Sequence, residues 1–178
     1  VSTAGDINGD GYDDIIIGAI KGDPNGDNSG ESYVVFGKAS SYSASLDLSS
    51  LNGTTGFALN GASDENYAGL KVDMAGDVNG DGYDDIIIGA GWPQELDSGI
   101  TDGSGTSYVV YGKASGYSAN FDLATLASGN GSAGFAIKGI DDQDNSGYSV
   151  STAGDVNGDG YDDILVGALF ADPNNKAA

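Results

Sequence analysis

Apolar residues in this chain gather into short runs set between long polar stretches. One set reads Ile15-Ile16-Ile17-Gly18-Ala19, Ile86-Ile87-Ile88-Gly89-Ala90 and Ile164-Leu165-Val166-Gly167-Ala168. These runs are brief, mostly β-branched and closed by glycine, which predicts buried strands. A second set, Tyr33-Val34-Val35 and Tyr108-Val109-Val110, predicts another strand, and a third, Gly56–Leu59 and Gly134–Ile137, another. A fourth strand is expected near Lys71–Ala75 and Ser149–Ala153. Between the second and third sets, Leu46–Leu51 and Phe121–Leu126 suit a short helical turn. No helical pattern follows any Gly-Ala run.

The pattern is a repeat. Tyr33-Val34-Val35-Phe36-Gly37-Lys38-Ala39-Ser40 returns as Tyr108-Val109-Val110-Tyr111-Gly112-Lys113-Ala114-Ser115. Leu46-Asp47-Leu48 returns as Phe121-Asp122-Leu123, and Gly56-Phe57-Ala58 as Gly134-Phe135-Ala136. Length differences fall in polar segments, as expected of exposed loops. Four short antiparallel strands per unit is the pattern of a propeller blade. The expected units are residues 1–61, 62–139 and 140–178, the last only the first half of a blade. The paired aromatics Tyr33/Tyr108, Phe36/Tyr111 and Phe57/Phe135 are expected in the core.

Ahead of each Gly-Ala run stands one acidic word: Asp6-Ile7-Asn8-Gly9-Asp10-Gly11-Tyr12-Asp13-Asp14, Asp77–Asp85 and Asp155–Asp163. Oxygen-bearing side chains fall at positions 1, 3, 5 and 9, with glycine at position 6. Such a loop wraps a hard cation. The expected ligands of three Ca²⁺ ions are Asp6, Asn8, Asp10 and Asp14; Asp77, Asn79, Asp81 and Asp85; and Asp155, Asn157, Asp159 and Asp163. The backbone carbonyls of Tyr12, Tyr83 and Tyr161 join them. Position 8 (Asp13, Asp84, Asp162) is expected to point away. An EF-hand would need a carboxylate at position 12, where Ile17, Ile88 and Val166 stand, and a helix behind it. A bare Asn-Gly/Asp-Gly turn explains the glycines. It does not explain clustered carboxylates, whose repulsion costs about 1–4 kcal/mol per pair at ~4 Å.

The pairing of Phe36-Gly37 or Tyr111-Gly112 with Gly-Ala, around Asp-x-Asn-Gly-Asp-Gly-Tyr-Asp-Asp, resembles the FG-GAP repeat of integrin α chains and of large secreted bacterial proteins. Nearly the whole chain is covered. The chain departs from the family after Gly-Ala, where a frequent proline is replaced by Ile20, Gly91 and Leu169, and its phrasing is closer to bacterial versions. The resemblance implies an all-β fold of about two and a half four-stranded antiparallel blades, excerpted from a larger propeller or repeat array. It also implies a calcium-stabilised module for adhesion or protein–protein interaction, extracellular or at the cell surface. Two alternatives stand beside that reading: a structural repeat of an extracellular fibre or surface array, and a carbohydrate-binding accessory domain of a secreted enzyme. The ligand, protein or glycan, is not legible, and further repeats or other copies of the chain are expected partners.

Composition narrows the field. The chain has 178 residues and a formal net charge of −21, which disfavours nucleic acid and anionic membrane surfaces. No apolar run approaches the ~20 residues of a membrane helix. Cysteine and histidine are absent, so triads and zinc sites of the usual kinds cannot be built, and calcium is the expected staple. No catalytic residue is expected. The unrepeated acids, Asp64, Glu65, Glu95, Asp97, Asp141, Asp142 and Asp144, lie in variable loops. Trp92 reads as a blade-packing aromatic, with sugar stacking or an interface role as the alternative.

Overall fold

The computed structural model describes residues 1–91 and 103–172. Trp92, Glu95 and Asp97 therefore lie outside the described residues. Strands β1 (Ser2–Gly5), β2 (Asp14–Ala19), β3 (Glu31–Val35) and β4 (Gly56–Asn60) make the first antiparallel series. The second is β5 (Lys71–Gly76), β6 (Asp85–Ala90), β7 (Thr106–Val110) and β9 (Gly134–Lys138), and β10 (Ser146–Gly154) pairs with β11 (Asp163–Ala168) in a third. Among the described residues helix is confined to a 3₁₀ turn at Leu48–Ser50, inside the first segment suited to it, and α1 (Ala124–Ser128), which begins in the second and runs two residues past it. The fold is mostly antiparallel sheet, as expected of propeller blades. Among the described residues the sheets form an open series and do not close into a ring.

Strand alternation assigns each apolar run to two neighbours. In the first sheet Ile16, Val34, Phe57 and Leu59 face the second. They pack there against Val72, Ile86, Ile88, Tyr108 and Val110. Ile87 and Val109 point the other way and meet Val150, Ile164 and Val166 of the third sheet. The triple-isoleucine run is buried throughout only in the middle sheet, where Ile86, Ile87 and Ile88 are all covered. The expected aromatic core follows the same rule. Phe36, Phe57 and Tyr108 are buried, while Tyr33, Tyr111 and Phe135 are half-buried, no complete blade lying against their faces among the described residues.

One strand departs from the expected four per blade. The segment after β7 crosses back over the first sheet, and its short strand β8 (Asn120–Asp122) pairs in parallel with β4. The second repeat thus lends a fifth strand to the first sheet. Tyr117 on this strap stacks on Phe57, with ring centroids 4.6 Å apart. Its hydroxyl donates to the carbonyl of Ile7 at 2.7 Å. In the first repeat the matching Tyr42 instead donates to its own Phe36 carbonyl.

Candidate metal loops and the joints between them

Each acidic word sits in the turn of an antiparallel hairpin: β1–β2, β5–β6 and β10–β11. A register shift at Gly5, Gly76 and Gly154 precedes each loop and turns the chain out of the sheet. The loops then repeat one hydrogen-bond pattern. The position-1 carboxylate accepts the backbone N–H of positions 5 and 6: Asp6 from Asp10 and Gly11, both at 2.9 Å. Asp77 and Asp155 do the same and accept from Gly80 and Gly158 as well. Those donors, Gly160 first, hold the Asp155 carboxyl below its ordinary pKa. Asn8, Asn79 and Asn157 accept from the residue two positions on, and so do Asp10, Asp81 and Asp159. The loop is thereby coiled chiefly by bonds from its own backbone N–H groups to its side-chain oxygens.

Position 9 does something the sequence reading had not assigned to it. Asp14 accepts the N–H of Ile7 at 3.2 Å and that of Gly37, just past β3, at 2.7 Å. Asp85 does the same with Val78 and Gly112. Asp163 reaches only Val156. The carboxylate therefore latches its loop to the glycine of the Phe-Gly or Tyr-Gly pair. The signal was in the sequence, since that glycine follows the third strand both times. Asp14 and Asp85 are almost fully buried. Burial raises the Asp14 carboxyl to about 6, and Asp10 and Asp6 raise it further, against the lowering by Gly37. Asp85 is raised to about 7, again chiefly by burial.

The donor set fits a hard cation in kind. It is all oxygen, and a carboxylate that accepts two N–H groups keeps lone pairs free. Buried negative charge beside two further carboxylates also favours a compensating cation. In position the fit is incomplete: among the described residues, no three acidic side chains stand together as a ligand cluster.

Positions 7 and 8 join successive loops. Asp84 accepts the N–H of Asp6 at 2.7 Å, and Asp162 accepts that of Asp77 at 2.9 Å. Asp84 and Asp162, at position 8, each reach into the loop before their own. The ring of Tyr83 lies on Gly9, and that of Tyr161 on Gly80. A Cβ at Gly9 would sit 2.3 Å from Tyr83 Cε1, so only glycine fits there. On the strand before the loops, Asp73 accepts from Ser2 on one side at 2.5 Å and Ser151 on the other at 2.8 Å.

The FG-GAP repeat pattern matches residues 1–35, 72–110 and 146–178, more than half of the chain. The chain belongs to the FG-GAP repeat family. FG-GAP repeats are non-catalytic modules, and this one has neither His nor Cys. Over 99% of its length it is 33% identical to integrin alpha pat-2 of Caenorhabditis elegans, and over 92% it is 30% identical to integrin alpha-6 of Gallus gallus. It is 28% identical over 95% to integrin alpha-4 of Xenopus laevis. The chain spans about 13% of the length of these curated relatives. All three are animal proteins, and these relatives give no support to the expectation of a bacterial version. None of the helices described is long and apolar enough to cross a membrane.

Proposed function

We propose that this chain is a calcium-binding interaction module of an extracellular or cell-surface protein, built of FG-GAP blades over residues 1–61, 62–139 and 140–178. The observation that carries the reading is the threefold recurrence of one oxygen-lined loop at equivalent hairpins, with a buried acid at the base of the first two. Asp6, Asn8, Asp10 and Asp14 would hold the first ion with the carbonyl of Tyr12. The two later words would do the same. The ion would neutralise carboxylates that otherwise crowd each loop, and so would act on stability rather than on chemistry. The likeness to integrin α chains supports a role in adhesion or protein–protein contact.

Isothermal titration calorimetry tests the metal directly. Three calcium ions per chain are expected, falling to two in Asp10→Ala. Titration without heat or saturation, or an unchanged stoichiometry in the variant, would overturn the assignment.

A further inference from the structure

The residues that tie one loop to the loop before it stand next to ion ligands of their own loop. Asp84 lies between Tyr83, whose carbonyl would hold the second ion, and Asp85, the buried acid at the base of that loop. Its carboxylate accepts the N–H of Asp6, and the Tyr83 ring lies on Gly9. Positions 1 and 4 of the first loop are therefore held by positions 8 and 7 of the second. The boundary between the second and third loops repeats this, with Asp162 on the Asp77 N–H and Tyr161 on Gly80. There the bond is answered, since the N–H of Asp162 donates to the Asp77 carbonyl at 3.1 Å.

A second route joins the bases of the first two loops. Asp85 accepts the N–H of Gly112 at 2.8 Å. The next N–H along the chain, that of Lys113, donates to the Ile7 carbonyl at 3.0 Å, and the Tyr117 hydroxyl donates to the same oxygen. The N–H of Ile7 in turn donates to Asp14 at 3.2 Å. Asp85 and Asp14, the position-9 carboxylates of the two loops, thus end one run of hydrogen bonds through Gly112, Lys113 and Ile7. Ile7 is fully buried, so water competes little for its bonds.

We infer that these joints couple the loops, so that calcium held in one raises the affinity of its neighbour for calcium. The inference rests on the calcium reading given above. A loop without its cation crowds carboxylates that repel one another, and opening relieves them. Opening of the second loop releases Tyr83 and Asp84 from the first, and Asp6 and Gly9 must then be ordered at the expense of binding there. An ion already in the second loop removes that cost. Asp84 contributes charge as well, because its carboxylate is set between the two loops and attracts a cation in either. Linkage makes the effect reciprocal, and such couplings are typically about 5–150-fold in affinity. Asp84 is a positioning residue here, outside the ligand set.

A calcium titration of the whole chain followed by ¹H–¹⁵N NMR tests this. The N–H groups of Gly11 and Gly82 each donate to the position-1 carboxylate of their own loop, so their signals report the two loops separately. Asp81 accepts from Asn79 and Tyr83 of its own loop, and Asp81→Asn weakens the second site without altering a residue of the first. It should raise the calcium concentration at which Gly11 responds by about tenfold, and Asp10→Asn should shift Gly82 by the same factor. That shift should shrink in the order wild type, Asp84→Asn, Asp84→Ala, because the asparagine keeps an acceptor for the Asp6 N–H and the alanine does not. Dispersion of the remaining amide signals shows whether each variant is folded, and Asp84→Asn carries the comparison if Asp84→Ala is not. A Gly11 midpoint indifferent to Asp81→Asn, or a shift that survives both Asp84 variants in full, would overturn the coupling while leaving calcium bound. Signals that calcium does not move at all would overturn the calcium reading, and the coupling with it.

Discussion

The carboxylate of Asp84 accepts the backbone N–H of Asp6 at 2.7 Å, across the boundary between two repeats. Two loops that each look like self-contained cation cages are thus wired to one another through a residue outside the ligand pattern. Asp162 and Asp77 repeat the bond at the next boundary.

Asp84→Ala should therefore destabilise the chain by about 1–3 kcal/mol, the cost of an unpaired, part-buried donor next to a lost charged acceptor. Asp13→Ala, at the equivalent position of the first loop, should change monomer stability by less than about 0.5 kcal/mol. Urea melts of the two variants at low concentration check this. Equal effects would remove the inter-loop role from Asp84.

Gly9 and Gly158 share a position in the word and a left-handed backbone, with φ of +70° and +77°. They differ in surroundings, because Tyr83 covers Gly9 and nothing covers Gly158. Gly158→Ala should cost only the backbone term, about 1–2 kcal/mol. Gly9→Ala should cost more by the displacement of the Tyr83 ring. Thermal melts of the pair isolate the packing between loops. If the two are indistinguishable, the ring contact contributes nothing.

Calcium removal should lower the melting temperature sharply. At free calcium one hundred times a dissociation constant in the ~10⁻⁴–10⁻³ M range of extracellular modules, linkage gives about 2.7 kcal/mol per site. Three sites would approach the whole ~5–15 kcal/mol stability of a domain. Scanning calorimetry with and without chelator measures the shift, and limited proteolysis should find new cuts in the Asn-Gly-Asp-Gly turns. An unchanged melt in chelator would separate the loops from calcium.

The buried acids give the metal-free chain a pH dependence of unusual sign. Asp14 and Asp85 rise from an ordinary 3.8 to about 6 and about 7, so the folded state favours their protonated forms. Their contribution is fully present below pH ~4 and is lost as pH rises through ~6 and ~7. In chelator, stability should fall between pH 4 and 8, and Asp14→Asn should remove the Asp14 share of that fall, between pH ~4 and ~6, leaving the Asp85 share up to ~7. Urea titrations across the range check it. Stability rising with pH in chelator would mean that the two carboxyls are solvated.

The strands were legible because β-branched runs closed by glycine leave little choice, and the hairpin loops because the word recurs at Asp6, Asp77 and Asp155 with only its second residue altered. Register inside the triple-isoleucine run was not legible, because buried strands lack the alternation that marks an exposed face. Which isoleucine faces which neighbour depends on the sheets packed on either side. That is also why Tyr33 and Phe135 fall short of the core that Tyr108 and Phe57 reach. Strand β8 was hidden by its length, since Asn120-Phe121-Asp122 makes only a short parallel ladder whose partner lies in another repeat. The Asp14 latch to Gly37 and the reach of Asp84 are long-range bonds from residues whose local role already looked filled.

The strap carrying Tyr117 and β8 belongs by covalent order to the second repeat and by hydrogen bonding to the first sheet. The unit that was duplicated and the unit that folds are offset from one another. A genetic deletion or exchange cut at the repeat boundary would strip the first sheet of its fifth strand and of the ring over Phe57. A cut placed after Leu123 would carry both away intact. Shuffling of such modules is thus constrained by a seam that the repeating letters do not mark.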